Sequence, residues 1–146
     1  YKEELSQNKA MLSSIREMAE GGAYIYAESG GFMYLVEEIE GYPMVGIFKG
    51  KAYMTDRLQR FGYCNIKLRE DSLLGKKGES LKANESHRSL IEIEGRPLYD
   101  IQKAKSQRSW QCGYGYKNVL AAYPYINFLG NLKAFNFLLD RIDNKR

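Results

Sequence analysis

Residues 23–35 read AYIYAESGGFMYL, and the interpretation of the whole chain depends on this stretch. Its apolar and aromatic first half predicts a short buried strand, which the polar pair Glu28-Ser29 and two glycines bring to an end. An apolar-periodic segment follows and predicts the start of a helix. The stretch therefore has the order strand, tight turn and helix, with Ser29 at the apex of the turn.

A nucleophile elbow has this arrangement. Its apex residue adopts a strained backbone conformation, and side chains two positions away, where Ala27 and Gly31 stand, are expected to collide with the turn unless they are small. The amides of Gly30 and Gly31 would point toward a helix N-terminus, where they could stabilise a developing oxyanion. The alternative is an ordinary strand–glycine–helix connection in which Ser29 caps the helix.

The composition is that of a globular protein with one domain, which we place over residues 1–146. A net charge of +4 permits an anionic partner but does not demand one. Cys64 and Cys112 lie far apart without a paired Cys or His, so we predict no metal site and two free thiols in a reducing, cytoplasmic compartment. No apolar run reaches the roughly 18 residues of a membrane span, so no membrane partner is expected.

The other segments predict alternating helices and strands, which favours an α/β fold. An amphipathic helix over 2–20 should stop at Gly21-Gly22, and Asn131 should cap a C-terminal helix. Between them we expect a helix over 31–38 and strands over 44–48, 63–69, 89–94 and 118–128.

Residues 96–117 combine positive charge with aromatic side chains. The basic residues there are Arg96, Lys103, Lys105, Arg108 and Lys117, and Asp100 is the only acidic one. Trp110, Tyr114 and Tyr116 lie between them, a mixture that could hold nucleic acid. Because such runs are more often solvated hairpins or loops, we expect no nucleic-acid partner.

Three further segments carry a family likeness: 26–35 (YAESGGFMYL), 83–89 (ANESHRS) and 118–128 (NVLAAYPYINF). They resemble, in order, the YAECGGFMYL elbow, the GHEFHYS segment and the NVLASYxHxHF ending of the cobyrinate a,c-diamide synthases. Shorter matches follow in that family's order and spacing at 42–46, 54–55, 57–58 and 62–63. The resemblance covers nearly the whole chain.

The resemblance implies a class I, triad-type glutamine amidotransferase domain. Its fold would be a flavodoxin-like α/β three-layer sandwich with a mixed, mainly parallel central sheet. In that family the domain follows an ATP-binding synthetase domain, and a cysteine attacks the side-chain amide of glutamine. The released ammonia amidates carboxylates of a corrin precursor in cobalamin biosynthesis, so glutamine and a synthetase domain or subunit are the implied partners.

The synthetase half is not expected within this chain. No Gly-x-x-x-x-Gly-Lys-Ser/Thr phosphate loop is present, because Val45 precedes Gly50-Lys51 and Glu70 precedes Gly75-Lys76 where a first glycine is needed. We therefore expect no cofactor here, with ATP and Mg²⁺ confined to the synthetase domain. The resemblance also implies that the first strands, with part of the oxyanion hole, precede Tyr1, as in a piece of a longer protein or of a split or decayed gene.

Two substitutions bear on the chemistry that the resemblance implies. Ser29 stands at the position of the nucleophilic cysteine, and Tyr125 stands at the position of the triad histidine. A serine hydroxyl is scarcely ionised near neutral pH and needs a base, whereas a tyrosine is normally a proton donor. Asn127, at the second histidine position of that strand, is no useful base either. We therefore expect a family member without glutaminase activity.

His87 is the only histidine, and it could in principle rebuild a Ser–His pair with Ser29. The alternative is an exposed loop histidine without a catalytic role. Glu85 is a candidate substrate contact, and Glu28 is expected to brace the turn. Two other functions stay open: a non-catalytic docking or ligand-binding domain for a synthetase partner, and a hydrolase that uses Ser29 with His87.

Overall fold

The computed structural model describes residues 1–144, so the last two residues of the predicted domain lie outside it. Its helices are α1 (Lys2–Gln7), α2 (Lys9–Glu20), α3 (Gly30–Leu35) and α4 (Leu132–Asp143), with a 3-10 helix over Phe128–Gly130. Its strands are β1 (Ile25–Glu28), β2 (Val36–Ile39), β3 (Tyr42–Pro43), β4 (Phe48–Met54), β5 (Arg60–Leu68), β6 (Ser80–His87), β7 (Ser89–Ile93), β8 (Tyr99–Lys103), β9 (Ser109–Cys112), β10 (Tyr114–Tyr116) and β11 (Val119–Ala122).

The strands form three sheets, in the orders β1-β11-β10, β3-β2-β4-β7 and β6-β5-β8-β9. The first two sheets are mixed, as predicted, with β1 parallel to β11 and β2 parallel to β4. The six other pairs within residues 1–144 are antiparallel, so pairing here is not mainly parallel as we expected. Short hairpin connections such as that between β8 and β9 place neighbouring strands antiparallel, whereas parallel pairs usually need longer crossovers.

The N-terminal region contains two helices where one was predicted. Asn8 leaves the helical conformation and its side chain accepts a hydrogen bond from Met11 N at 3.1 Å, so it caps α2. The predicted stop is confirmed, since α2 ends at Glu20 and Gly21 N donates to Glu17 O at 2.9 Å. No helix of residues 1–144 is long and apolar enough to cross a membrane.

The alternating segments predicted as strands are confirmed as β5 and β7, whereas residues 44–48 do not form a separate strand. That segment is held by main-chain bonds to the end of α3 and to β2, among them Val45 N to Tyr34 O and Ile47 N to Leu35 O. The predicted helix over 31–38 ends at Leu35, because Val36 is fully extended and begins β2. The strand predicted over 118–128 is likewise shorter and ends at Ala122.

One continuous hydrophobic cluster links the helices to the sheets and holds α3 against β1 and β11. Its centre is Phe32 of α3, whose ring contacts those of Phe48, Tyr114 and Tyr123. Asn131 stands at the N-terminus of α4, but its side chain makes no capping hydrogen bond to the helix, which corrects the prediction. Its side chain instead exchanges two hydrogen bonds of 2.9 Å with the main chain of Lys82 and so fastens α4 to β6.

Candidate functional site

Ser29 stands between β1 and α3 in the conformation of an elbow. Its φ of 48° and ψ of −110° place it where residues other than glycine rarely occur. Two main-chain bonds keep it there: Ser29 N donates to Ala122 O at 2.9 Å, and Met33 N donates to Ser29 O at 3.1 Å. The strained turn is therefore fixed by the neighbouring strand on one side and by the helix on the other.

The residues that flank the apex are less crowded than the sequence suggested. A Cβ built on Gly31 would lie 3.4 Å from Ala27 Cβ, which is close contact and not a collision. A Cβ on Gly30 would meet nothing within 4 Å. Only a side chain larger than a methyl group at residue 31 would force the turn apart.

The two glycines after Ser29 open α3, and Ser29 itself does not cap the helix through its side chain. The first amides of a helix have no acceptor within the helix, so those of Gly30 and Gly31 are donors beside the serine. The structure thus brings these two predicted oxyanion contacts to Ser29 through the backbone. Within residues 1–144 the Ser29 hydroxyl makes no hydrogen bond, although the residue is 8% exposed.

Glu28 braces the turn, as predicted. Its carboxylate accepts a hydrogen bond from Ile126 N at 2.9 Å, which ties the elbow to the segment after β11. Burial raises the pKa of Glu28, and the Ile126 amide opposes that shift by stabilising the charged form.

Glu85 and His87 lie in a buried cluster and not in an exposed loop. Glu85 is 2% exposed, and the His87 side chain is 7% exposed. One Glu85 oxygen accepts a hydrogen bond from Trp110 Nε1 at 3.0 Å, and the other lies 3.1 Å from His87 Nε2. The expectation of an exposed loop histidine is therefore wrong, because His87 ends the half-buried strand β6.

The partners of His87 determine where its protons lie. His87 Nδ1 is 2.9 Å from Ser89 O, and a carbonyl can only accept, so Nδ1 carries a proton. Nε2 then either donates a hydrogen bond to the Glu85 carboxylate or accepts one from the Glu85 carboxylic acid. In both cases Nε2 has no lone pair to spare for the hydroxyl of Ser29.

Aromatic rings and a second serine complete the cluster. The imidazole of His87 stacks on the ring of Tyr123 with 3.7 Å between centroids, and Tyr123 Oη lies 2.8 Å from Ser89 Oγ. Burial raises the pKa of Tyr123, so its hydroxyl stays protonated. Trp110 and Tyr123 were not among the predicted site residues. The alternation of β6 could have indicated the cluster, since it places Glu85 on the buried face.

Tyr125 stands beside β6 with its side chain 44% exposed. Its main chain exchanges two hydrogen bonds with Asn84, of 3.0 Å and 2.7 Å, so the segment after β11 lies against β6. Asn127 accepts a hydrogen bond from Leu129 N and caps the 3-10 helix. No described residue places a base in hydrogen-bond contact with the Ser29 hydroxyl.

Three other residues that the sequence analysis singled out, Gly50, Cys64 and Cys112, lie in strands. Gly50 lies within β4, where a Cβ would lie 2.5 Å from Glu92 O, so a glycine there lets β4 and β7 approach closely. Cys64 and Cys112 are free and buried, and burial raises the pKa of their thiols to about 12 and about 11. Within residues 1–144 no group of three or more His, Cys, Asp or Glu side chains could hold a metal ion.

Comparisons with known proteins bear on the family and the fold. A family model described as a CobB/CobQ-like glutamine amidotransferase domain matches residues 1–132. The cobyrinate a,c-diamide synthase of Clostridium acetobutylicum is 42% identical over 142 residues, which cover 95% of this chain and 32% of that protein. The synthase of the same name from Listeria monocytogenes is 39% identical over 150 residues, covering 98% of this chain and 33% of that protein.

The chain therefore spans about a third of the length of these curated relatives. A solved glutamine amidotransferase from Thermotoga maritima matches with a TM-score of 0.55 at 10% identity, covering 94% of this chain and 56% of that one. At that identity the likeness bears on the fold alone. It confirms the predicted α/β glutamine amidotransferase fold class.

Proposed function

Because the chain belongs to the family of CobB/CobQ-like glutamine amidotransferase domains, we propose that it is the amidotransferase-like domain of a cobyrinate a,c-diamide synthase-type protein that has lost glutaminase activity. The observation that carries this proposal is the Ser29 hydroxyl, which sits at an elbow without a base in hydrogen-bond contact among residues 1–144. The pathway, cobalamin or related tetrapyrrole biosynthesis, follows from the name of the relatives.

The chemistry explains why an intact elbow is not sufficient. Covalent hydrolysis of the glutamine amide needs a nucleophile that gives up its proton as it attacks, and a hydroxyl does so only next to a base. His87 is the one histidine, and its two ring nitrogens contact Ser89 O and Glu85. This arrangement also disfavours a hydrolase built on Ser29 and His87.

The amides of the elbow are retained, and main-chain hydrogen bonds hold the turn. Both features support a domain that binds a small ligand and docks onto a synthetase partner. Glutamine or a similar small molecule is the ligand class that the family suggests, and an ATP-binding synthetase domain or subunit is the partner. ATP and Mg²⁺ would be held by that partner, because the sequence of this chain has no Gly-x-x-x-x-Gly-Lys-Ser/Thr segment. We place the domain in the cytoplasm, a location supported by its two free thiols.

The test is a glutaminase assay on four proteins: the original chain, Ser29→Cys, Ser29→Cys with Tyr125→His, and Ser29→Ala with Tyr125→His as the matched control. We expect that, of the four proteins, only Ser29→Cys with Tyr125→His releases ammonia. Its rate should be about a hundredfold or more above that of the control, because general base catalysis contributes about that much. Each protein is assayed alone and with a synthetase partner.

Glutamine hydrolysis by the original chain, abolished by Ser29→Ala, would overturn the claim of lost activity. In that case a serine-directed fluorophosphonate should label Ser29, and His87→Gln should prevent the labelling. Inactivity of all four proteins, with and without the synthetase partner, would contradict the view that the elbow still has the geometry of a glutaminase.

A further inference from the structure

We propose that the cavity lined by Arg60, Lys103, Arg108 and Trp110 is a binding site for an oxyanion group, a phosphate or a carboxylate. The cavity has a volume of about 210 Å³ and lies between the start of β5 and the β8–β9 hairpin. That volume is far above the roughly 10–15 Å³ that a single water needs, so a small anionic group fits. The proposal is independent of whether Ser29 is catalytic.

The side chains that line the cavity carry an excess of positive charge. Arg60, Lys103 and Arg108 line it, and no carboxylate is among its lining residues. Within residues 1–144 none of these three cations lies within 4.0 Å of an acidic group. Some basic side chains elsewhere do have such partners, as Lys117 does in Glu20 at 3.0 Å and Lys51 in Glu38 at 3.5 Å. Three like charges around one cavity repel each other, and a bound anion would relieve that repulsion.

The guanidinium of Arg60 is held in place before any ligand binds. Its Cζ lies 4.7 Å from the centre of the Trp110 ring, and its Nη1 donates to Gln59 O at 3.1 Å. Trp110 is fixed in turn, because its Nε1 donates to the buried carboxylate of Glu85. The remaining donors of a planar guanidinium fixed in this way match the paired oxygens of a carboxylate or phosphate.

The hairpin places the other two cations side by side. Lys103 N donates to Arg108 O at 2.9 Å, so the two residues face each other across the β8–β9 pair. They come from the basic and aromatic stretch over 96–117, which the proposed function does not use. The other aromatic residues of that stretch have partners elsewhere, since Tyr114 stacks on Phe32 in the core and the Tyr116 hydroxyl donates to Glu20. A small anion therefore fits the site better than nucleic acid, which needs a row of open aromatic faces.

Trp110 is the only tryptophan, so its fluorescence reports on the cavity directly. The experiment titrates the chain with inorganic phosphate and, separately, with citrate, while sodium chloride keeps the ionic strength constant. We expect a saturable change with at least one of them, and the one that binds more tightly identifies the source of the oxyanion. A response no different from that to chloride would overturn the proposal.

Two variants make the test specific. Arg108→Gln should raise the apparent dissociation constant about tenfold or more, as expected for the loss of one charge-assisted contact. Arg96→Gln is the matched control, because Arg96 belongs to the same basic stretch but lines a different cavity. Its dissociation constant should stay within about twofold of the original. Equal weakening in both variants would mean a diffuse charge effect and would contradict a built site.

Discussion

The elbow at Ser29 and the buried cluster at Glu85 and His87 use their polar groups in opposite ways. At the elbow the backbone is strained and the hydroxyl has no partner among the described residues. In the cluster both Glu85 oxygens and both His87 nitrogens have partners. The comparison teaches that the shape of a reactive turn can persist while the groups able to move a proton are bonded to one another elsewhere.

The difference follows from what holds each region. The elbow is maintained by main-chain bonds and by the packing of α3, neither of which depends on the chemistry of the residue 29 side chain. The cluster depends on side-chain chemistry, because each member satisfies another that would otherwise be buried without a partner. Substitutions should therefore have larger effects on stability in the cluster than at the elbow.

The largest effect is expected for Glu85→Leu. It removes the acceptor of the Trp110 indole and the partner of His87 Nε2, and should lower the free energy of unfolding by about 3–5 kcal/mol. Urea denaturation followed by circular dichroism measures the loss. The control Glu85→Gln keeps one acceptor and should lose about half as much. A Leu variant as stable as the original chain would show that the cluster does not stabilise the fold.

A smaller loss, of about 2–4 kcal/mol, is expected for Gly113→Ala in the turn between β9 and β10. Gly113 has a φ of 77°, and a Cβ there would lie 2.7 Å from Tyr99 Cγ. At that distance the methyl group would clash with the buried tyrosine ring. Gly31→Ala at the elbow meets only Ala27 Cβ at 3.4 Å and should cost less than about 1 kcal/mol. Thermal unfolding of the two variants tests the contrast, and equal losses would contradict it.

Thiol labelling compares the accessibility of the two regions. Burial raises the pKa of Cys64 to about 12 and of Cys112 to about 11, so their thiolate fractions at pH 8 should be at least about a hundredfold below that of an ordinary thiol. Iodoacetamide should therefore leave the original chain unlabelled. Ser29→Cys should be labelled once per molecule, because the side chain at the elbow makes no hydrogen bond within the described residues and lies at the start of α3. Ser89→Cys, in the buried cluster, is the matched control and should stay unlabelled; its rapid labelling would refute the distinction.

The smallest effect is the pH dependence at Glu28. Burial raises its pKa in the folded chain, so folding favours the protonated form, and this contribution to stability is complete below the unfolded pKa and lost as pH rises through the folded one. Relative to Glu28→Gln, the original chain should lose stability as the pH rises above about 4.5. Urea midpoints of both proteins across that range decide it. A urea midpoint of the original chain that stays constant or rises relative to that of Glu28→Gln would contradict the predicted direction of the pH dependence.

Local patterns predicted several parts of this fold correctly. Strict alternation identified β5 and β7, because one face of each is buried and the other is open to solvent. The run of residues around Ser29 identified the elbow, since few other conformations suit a strand, a polar apex and two glycines. The same reasoning failed at Asn8, where a side chain competes with the helix for one amide, and at residues 44–48, where bonds to α3 and β2 decide the conformation.

The sequence by itself determined the family, the elbow and the absence of the expected cysteine and histidine, because these are properties of residues that are neighbours in the chain. Only the tertiary structure decided what His87 does. Its ring nitrogens contact Glu85 of β6 and Ser89 of β7, and its ring stacks on Tyr123 of the segment after β11. Trp110 of β9 in turn reaches Glu85 across 25 positions of sequence. Whether a histidine acts as a base depends on which groups accept and donate around its ring, and the fold decides which residues, near or distant in sequence, take those places.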